Sequence, residues 1–169
     1  MARTREAIRA AFNGLILARG YDAFTAADIA EAANVGRSTF YEHFQGKDEV
    51  LAATLVPVLT PLAEACVSAG PDARVEAMVA HFWENRRMAK AMMDGRAHAV
   101  MAGQLAALIE ARLPADGAIP APLLAIQIAH GQLALIEAWL TGRHGSSAAQ
   151  IAAALQATGR AAVAANVGG

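Results

Sequence analysis

One cysteine, Cys66, is all the sequence offers, so no disulfide can form within the chain. That suits a reducing compartment. Aromatic residues amount to only 5%, and runs of β-branched residues, the usual material of sheets, are scarce. Charge is thin too: charged residues make up 17% and the net charge is −1, so no overall positive surplus marks a nucleic-acid partner. Residues 1–50 hold six Lys/Arg against seven Asp/Glu. Any basic face there must arise by segregation in space. No apolar signal-peptide core follows Met1–Arg9, and the apolar stretch Leu51–Val67 is broken by Pro57, Pro61 and Glu64. The expectation is a soluble, cytoplasmic protein without a membrane partner. Catalytic signatures are missing as well. There is no Gly-rich phosphate loop, no His-Glu-x-x-His and no nucleophile elbow, so no catalytic residues, no cofactor and no enzyme are expected. His81, His98 and His130 lack compact ligand spacing, so no metal is expected either.

What the chain does have is alanine. Hydrophobic residues reach 56% over 169 positions, and alanine, which dominates them, favours helix at no side-chain entropy cost. The reading is all-α. The first helix is expected over 4–19, with Ile8, Phe12, Leu15 and Ile16 on one face. Gly20 closes it. Thr25 and Asp28 form a capping box for a second helix over 26–33, Asn34 takes a left-handed turn, and a third helix runs from 36 or 37 to 44. A fourth is expected from Lys47 towards Ala69, bent near Pro57 and Pro61. Beyond the Gly70-Pro71-Asp72 break come helices over 73–85, 97–112, 123–140 and 147–165, with a Met-rich segment over 86–93, a break at Asp94-Gly95 and a fraying tail over 166–169.

The stretch Thr25–Phe44 has the spacing of a helix-turn-helix. Ala30 is the small residue at the crossing, Asn34 follows four positions later, and Ile29, Ala33, Val35 and Phe40 can hold the second helix. A helical hairpin inside an ordinary core is the plain alternative. The flanks decide between them. Ser38-Thr39-Phe40-Tyr41-Glu42-His43-Phe44, followed by Lys47-Asp48-Glu49-Val50-Leu51, resembles the N-terminal signature of the TetR (tetracycline repressor) family. The likeness runs from about Ile8 to Leu51; beyond it, only the helix layout and Trp139-Leu140-Thr141-Gly142 are similar. Gly36, where a polar residue is common, and Asn34, where glycine is frequent, depart from the pattern.

That resemblance implies an N-terminal three-helix helix-turn-helix head, residues 1–46, joined to an antiparallel helical ligand-binding and dimerisation domain, residues 47–169. It implies DNA contacts from Thr25, Arg37, Ser38, Thr39, Tyr41, His43 and Lys47. Arg37 is the candidate for a base, because a guanidinium pairs bidentately with guanine. Plainer roles stand beside these: Tyr41 in the core, His43 filling a helix end, Lys47 in solvent. In the body, Met78, Phe82, Met92, Met101, Gln104 and His130 are candidates to line a pocket, since methionine clusters suit adaptable apolar sites. A plain core is the alternative. The small-residue stripe Gln127, His130, Gly131, Ala134 and Ala138, with Ala148, Ala152, Leu155 and Ala162 of the last helix, is expected to pair two copies. The expected function is a repressor that binds a palindromic DNA operator as a homodimer and is released by a small, largely apolar molecule. A TetR-like interaction protein without sequence-specific DNA binding is the alternative, kept by the near-neutral head and by Glu42. A small helical enzyme is a distant third.

Overall fold

The computed structural model describes residues 2–93 and 95–168. Among them, all regular structure is helical: α1 (Ala2–Arg19), a 3₁₀ turn (Tyr21–Ala23), α2 (Ala26–Ala32), α3 (Arg37–His43), α4 (Lys47–Ala65), α5 (Ala73–Glu84), α6 (Arg86–Met92), α7 (Gly95–Glu110), α8 (Ala121–Leu140) and α9 (Ala148–Val167). The all-α expectation holds, with a three-helix head ahead of a helical body.

The head is built on the expected face of α1. Ile8, Phe12 and Ile16 are buried and Leu15 packs at their edge. Each such burial is worth about 1.5–3 kcal/mol. Gly20, at φ +78°, turns the chain away from α1. The connection to α2 is more than a linker. Its 3₁₀ turn buries Tyr21, and Tyr21, Phe24 and Phe12 meet edge to face with centroids 5.7–6.3 Å apart. The capping box forms as the sequence indicates. Thr25 Oγ1 accepts from the Asp28 amide at 3.3 Å, and the Asp28 carboxylate accepts from the Thr25 amide at 2.7 Å. Asn34 takes the left-handed turn at φ +53°.

In the body, α4 packs chiefly on α7, α7 on α8, and α5 on α9. α4 runs through Pro57 and Pro61 but ends at Ala65, short of the expected Ala69. The reason lies in its last turn. The amides of Cys66 and Val67 bond three residues back, to Ala63 and Glu64, which tightens the chain before Gly70-Pro71. α7 starts at Gly95, two residues earlier than expected; the Asp94 half of the expected break lies outside the described residues. α8 also starts early, at Ala121, because Pro122 fits a first helical turn.

The expected fraying of the tail is overturned for Asn166 and Val167; Gly169 lies outside the described residues. Asn166 is buried. Its Oδ1 accepts from the Ile119 amide at 2.8 Å, its Nδ2 donates to the Ile119 carbonyl at 3.2 Å, and its own carbonyl accepts from the Ala118 amide at 2.8 Å. Gly117 lets this asparagine come close: a Cβ there would stand 2.0 Å from Asn166 Nδ2. By length and hydropathy alone α8 could cross a membrane, more readily than Leu51–Val67, but half of it is buried within the helical body.

Candidate nucleic-acid interface

α3 is a short helix held by one side. Phe40 and Phe44 are inserted in the head core, at 0% and 1% exposure, while Arg37, Ser38 and Tyr41 are exposed and Thr39 and His43 are half-buried. Phe40 lies mid-helix and Phe44 caps its end, both turned inward, whereas 37, 38 and 41 stand at the open start and on the adjoining side of the helix. Tyr41 is 59% exposed and rests edge-on against Phe40 at 5.4 Å, so the plainer core role for it does not hold. Arg37 and Tyr41 line a cleft of about 100 Å³ with Ala26, Ala27 and Ala30 of α2. Small side chains on α2 therefore let the two helices lie close. Glu42 also points to solvent.

Six of the seven expected DNA-contacting residues thus lie on α3 or at the capped start of α2. Lys47 is different. Its Nζ donates to the carbonyls of Tyr21 at 2.8 Å and Phe24 at 2.9 Å, and it stands 4.5 Å and 5.3 Å from the centroids of those two rings. The ammonium is committed inside the head, and reaching a phosphate would mean giving up those bonds. The cause is the 3₁₀ turn, which presents two carbonyls and two ring faces at the start of α4.

The guanidinium of Arg5 lies 4.8 Å from the Phe44 ring, which brings the first turn of α1 beside the end of α3. Arg3 and Arg5 are exposed there. The signal was present as the Arg3/Arg5 pair, but its meaning depended on where the first helix points.

Beside Lys47, Asp48 joins the head to the body. Its carboxylate accepts the Tyr21 hydroxyl, and it accepts from Arg96 of α7 through Nε at 2.8 Å and Nη2 at 2.5 Å. Burial pushes this carboxyl up, but the Arg96 and Tyr21 hydrogen bonds outweigh it and hold the group below the usual carboxylate range. Burial, then the bond to Asp48, push the Tyr21 phenol well up. Nothing in the sequence spacing of residues 48 and 96 announces this contact.

The expected pocket residues are only partly gathered. Met78, Phe82 and Met101 are buried in one apolar cluster, Met92 packs against it, and Gln104 is half-buried. His130 departs from the group. α8 turns Ile128, Ala129, Gln132 and Leu133 inward, which leaves His130 exposed on its outer side, its ring 6.2 Å from that of His98. The outer face of α8 keeps the expected stripe: Gln127, His130, Gly131, Ala134 and Ala138 are all exposed, with Leu123 and Ile126 beside them. On α9 the expectation needs correction. Ala152 and Leu155 are buried within the chain's own core, because they share a side with Ile151, and the open side carries Ala153, Ala157, Ala161 and Ala164.

Among the described residues, no group of three or more His, Cys, Asp or Glu side chains is placed to hold a metal ion. Cys66 is buried, and its thiol is pushed up by desolvation.

Comparison with known proteins bears on the head first. Residues 8–54 match the family described as bacterial regulatory proteins, tetR family. Over 52 residues the chain is 38% identical to the uncharacterized HTH-type transcriptional regulator YxbF of Bacillus subtilis (strain 168); the match covers 30% of this chain and only 14% of that relative's length. Solved structures extend the likeness to the body. A TetR-family regulator from Streptomyces coelicolor A3 is similar with a TM-score of 0.65 at 22% identity, covering 96% of each chain. A TetR transcriptional regulator from Streptococcus agalactiae 2603V gives 0.59 at 22% identity, over 93% of each chain. Thermus thermophilus FadR, a TetR-family repressor solved with lauroyl-CoA, gives 0.50 at 21% identity, over 95% of this chain and 94% of that one. At those identities the likeness is one of fold.

Proposed function

We infer that this chain, whose residues 8–54 match the tetR family of bacterial regulatory proteins, is a cytoplasmic transcriptional repressor that grips a palindromic operator as a homodimer and lets go when a small ligand binds. The observation that carries this reading is the two-sidedness of α3: Phe40 and Phe44 are anchored while Arg37, Ser38 and Tyr41 stand free. A helix held that way can enter a major groove without disturbing its own core. Arg37 reads a base, Thr25, Ser38, Thr39, Tyr41 and His43 contact phosphate or sugar, and Arg3 and Arg5 add positive charge beside the end of α3. Residues 1–46 act as the head and residues 47–169 as the sensing and pairing body.

The dimer uses the outer faces of α8 and α9. Small residues there let helices approach closely, and Leu123, Ile126 and Val167, at 59%, 48% and 55% exposure, are large apolar groups in need of cover. The chain alone exposes 8850 Å² at 17.5 kDa, against about 7,900 Å² for a free-standing globule of that mass. Pairing gives each head a high effective concentration on the second half-site. Met78, Phe82, Met92, Met101 and Gln104 form the sensing core, where flexible methionines can re-pack around an apolar guest. The lauroyl-CoA bound to a repressor of the same fold supports an apolar effector.

Fluorescence anisotropy on the DNA upstream of the gene, across a salt series, tests the reading. Specific binding that weakens steeply with salt is expected. Its absence at low salt would refute the repressor and leave the TetR-like interaction protein. Sedimentation of the full chain should give a dimer, and Ile126→Asp should give a helical monomer.

A further inference from the structure

The C-terminal part of α1 and the α5–α6 corner face each other across an open crevice of about 580 Å³. From the head side comes Leu17, a large apolar residue left 56% exposed. From the body come Arg86, Arg87 and Lys90, with Met88 half-buried between them. The guanidinium of Arg86 is held 5.4 Å from the Trp83 ring, on the same corner of the body. Arg87 and Lys90 make no ion pair among the described residues, whereas Arg74, Arg96 and Arg112 elsewhere in the body are each paired with a carboxylate. Among the described residues Glu84 is the one carboxylate in the lining, beside the three cations Arg86, Arg87 and Lys90. Unpaired cations around an apolar surface fit a molecule that brings both a charge and a tail.

We propose that this crevice between α1 and the α5–α6 corner binds an anionic amphiphile, its phosphate or carboxylate on Arg87 and Lys90 and its apolar part between Leu17 and Met88. The proposal rests on the reading of the chain as a ligand-released regulator and adds to it a second ligand site, separate from the Met78–Met101 core and selective for a different class of molecule. It differs from a guest in the Met78–Met101 core in one mechanical respect. The crevice has one wall on the head and one on the body, so its occupant senses their spacing directly. A ligand that fits one head position better than another shifts the balance between them by that difference in affinity.

Titration calorimetry on the full chain, without DNA, tests the site. The probe is octyl phosphate, compared with 1-octanol and with inorganic phosphate. Saturable binding of octyl phosphate is expected, with both comparison compounds weaker by about tenfold or more. The pair Arg87→Ser and Lys90→Ser, and separately Leu17→Ser, should each weaken octyl phosphate by about tenfold while melting as the parent does. No saturable heat from octyl phosphate, equal affinity for octanol or inorganic phosphate, or unchanged binding by either variant would each overturn the proposal. Because DNA is left out, the result is independent of operator binding. Failure here leaves the repressor reading to its own salt-series test, and failure there leaves this site to stand or fall by calorimetry.

Discussion

Replacing Lys47 by methionine keeps the apolar stem and deletes the ammonium. The structure gives that ammonium two carbonyl acceptors at 2.8 and 2.9 Å and two aromatic faces. A hydrogen bond to a charged donor contributes about 1.5–3 kcal/mol, and a partly exposed cation–π contact about 0.5–1 kcal/mol. The four contacts share one group, and water can reach the freed carbonyls in part. A net loss of about 2–3 kcal/mol is therefore expected, a large share of an ordinary domain stability of about 5–15 kcal/mol. For a chain of this length the melting temperature should fall by about 4–12 °C. Urea denaturation of parent, Lys47→Met and Arg37→Ala at one fixed protein concentration supplies the measurement. Arg37→Ala, on an exposed side chain, should stay within about 0.5 kcal/mol of the parent. If Lys47→Met instead melts with the parent and only flattens the salt dependence of DNA binding, the clamp is wrong and the lysine serves phosphate.

Arg37→Ala should relax base preference at one operator position by about 1–3 kcal/mol, read from anisotropy against half-site variants. Gly159→Ala would set a Cβ 2.8 Å from Cys66 Sγ and 3.1 Å from Gln132 Nε2, so thermal melting should show a loss of about 1–3 kcal/mol, much of it restored by adding Cys66→Ala. Asp48 has its folded-state carboxyl held below the unfolded value, so its contribution is present above that value, about pH 3.9, and is lost as pH falls through the folded one. Denaturation midpoints measured from pH 6 down to about pH 3 should therefore fall less steeply in Asp48→Asn than in the parent.

Most of the head was legible because its signals are local. Thr25 with Asp28, Asn34 in its turn, and the alternation of Phe40 and Phe44 against Arg37 and Tyr41 all lie within a few residues of their partners. The contacts of Lys47 were not legible, because its partners, Tyr21 and Phe24, are brought to it by a 3₁₀ turn that no periodicity marks. The Asp48–Arg96 contact spans 48 residues and follows from how α4 lies on α7. His130 was grouped with inward residues because α8 is apolar on nearly every side, and a helix of that kind does not declare which stripe faces its own chain.

α8 and α9 are tied at both ends. Trp139 Nε1 donates to the Ser146 carbonyl at 2.9 Å across the turn between them, and Asn166 fastens the far end of α9 to residues 118 and 119 just ahead of α8. Helices linked that way behave as one stiff plate. Two protomers joined plate to plate would share a rigid hub, and any signal reaching the heads would have to travel through the helices mounted on it, as arms swing from a fixed axle.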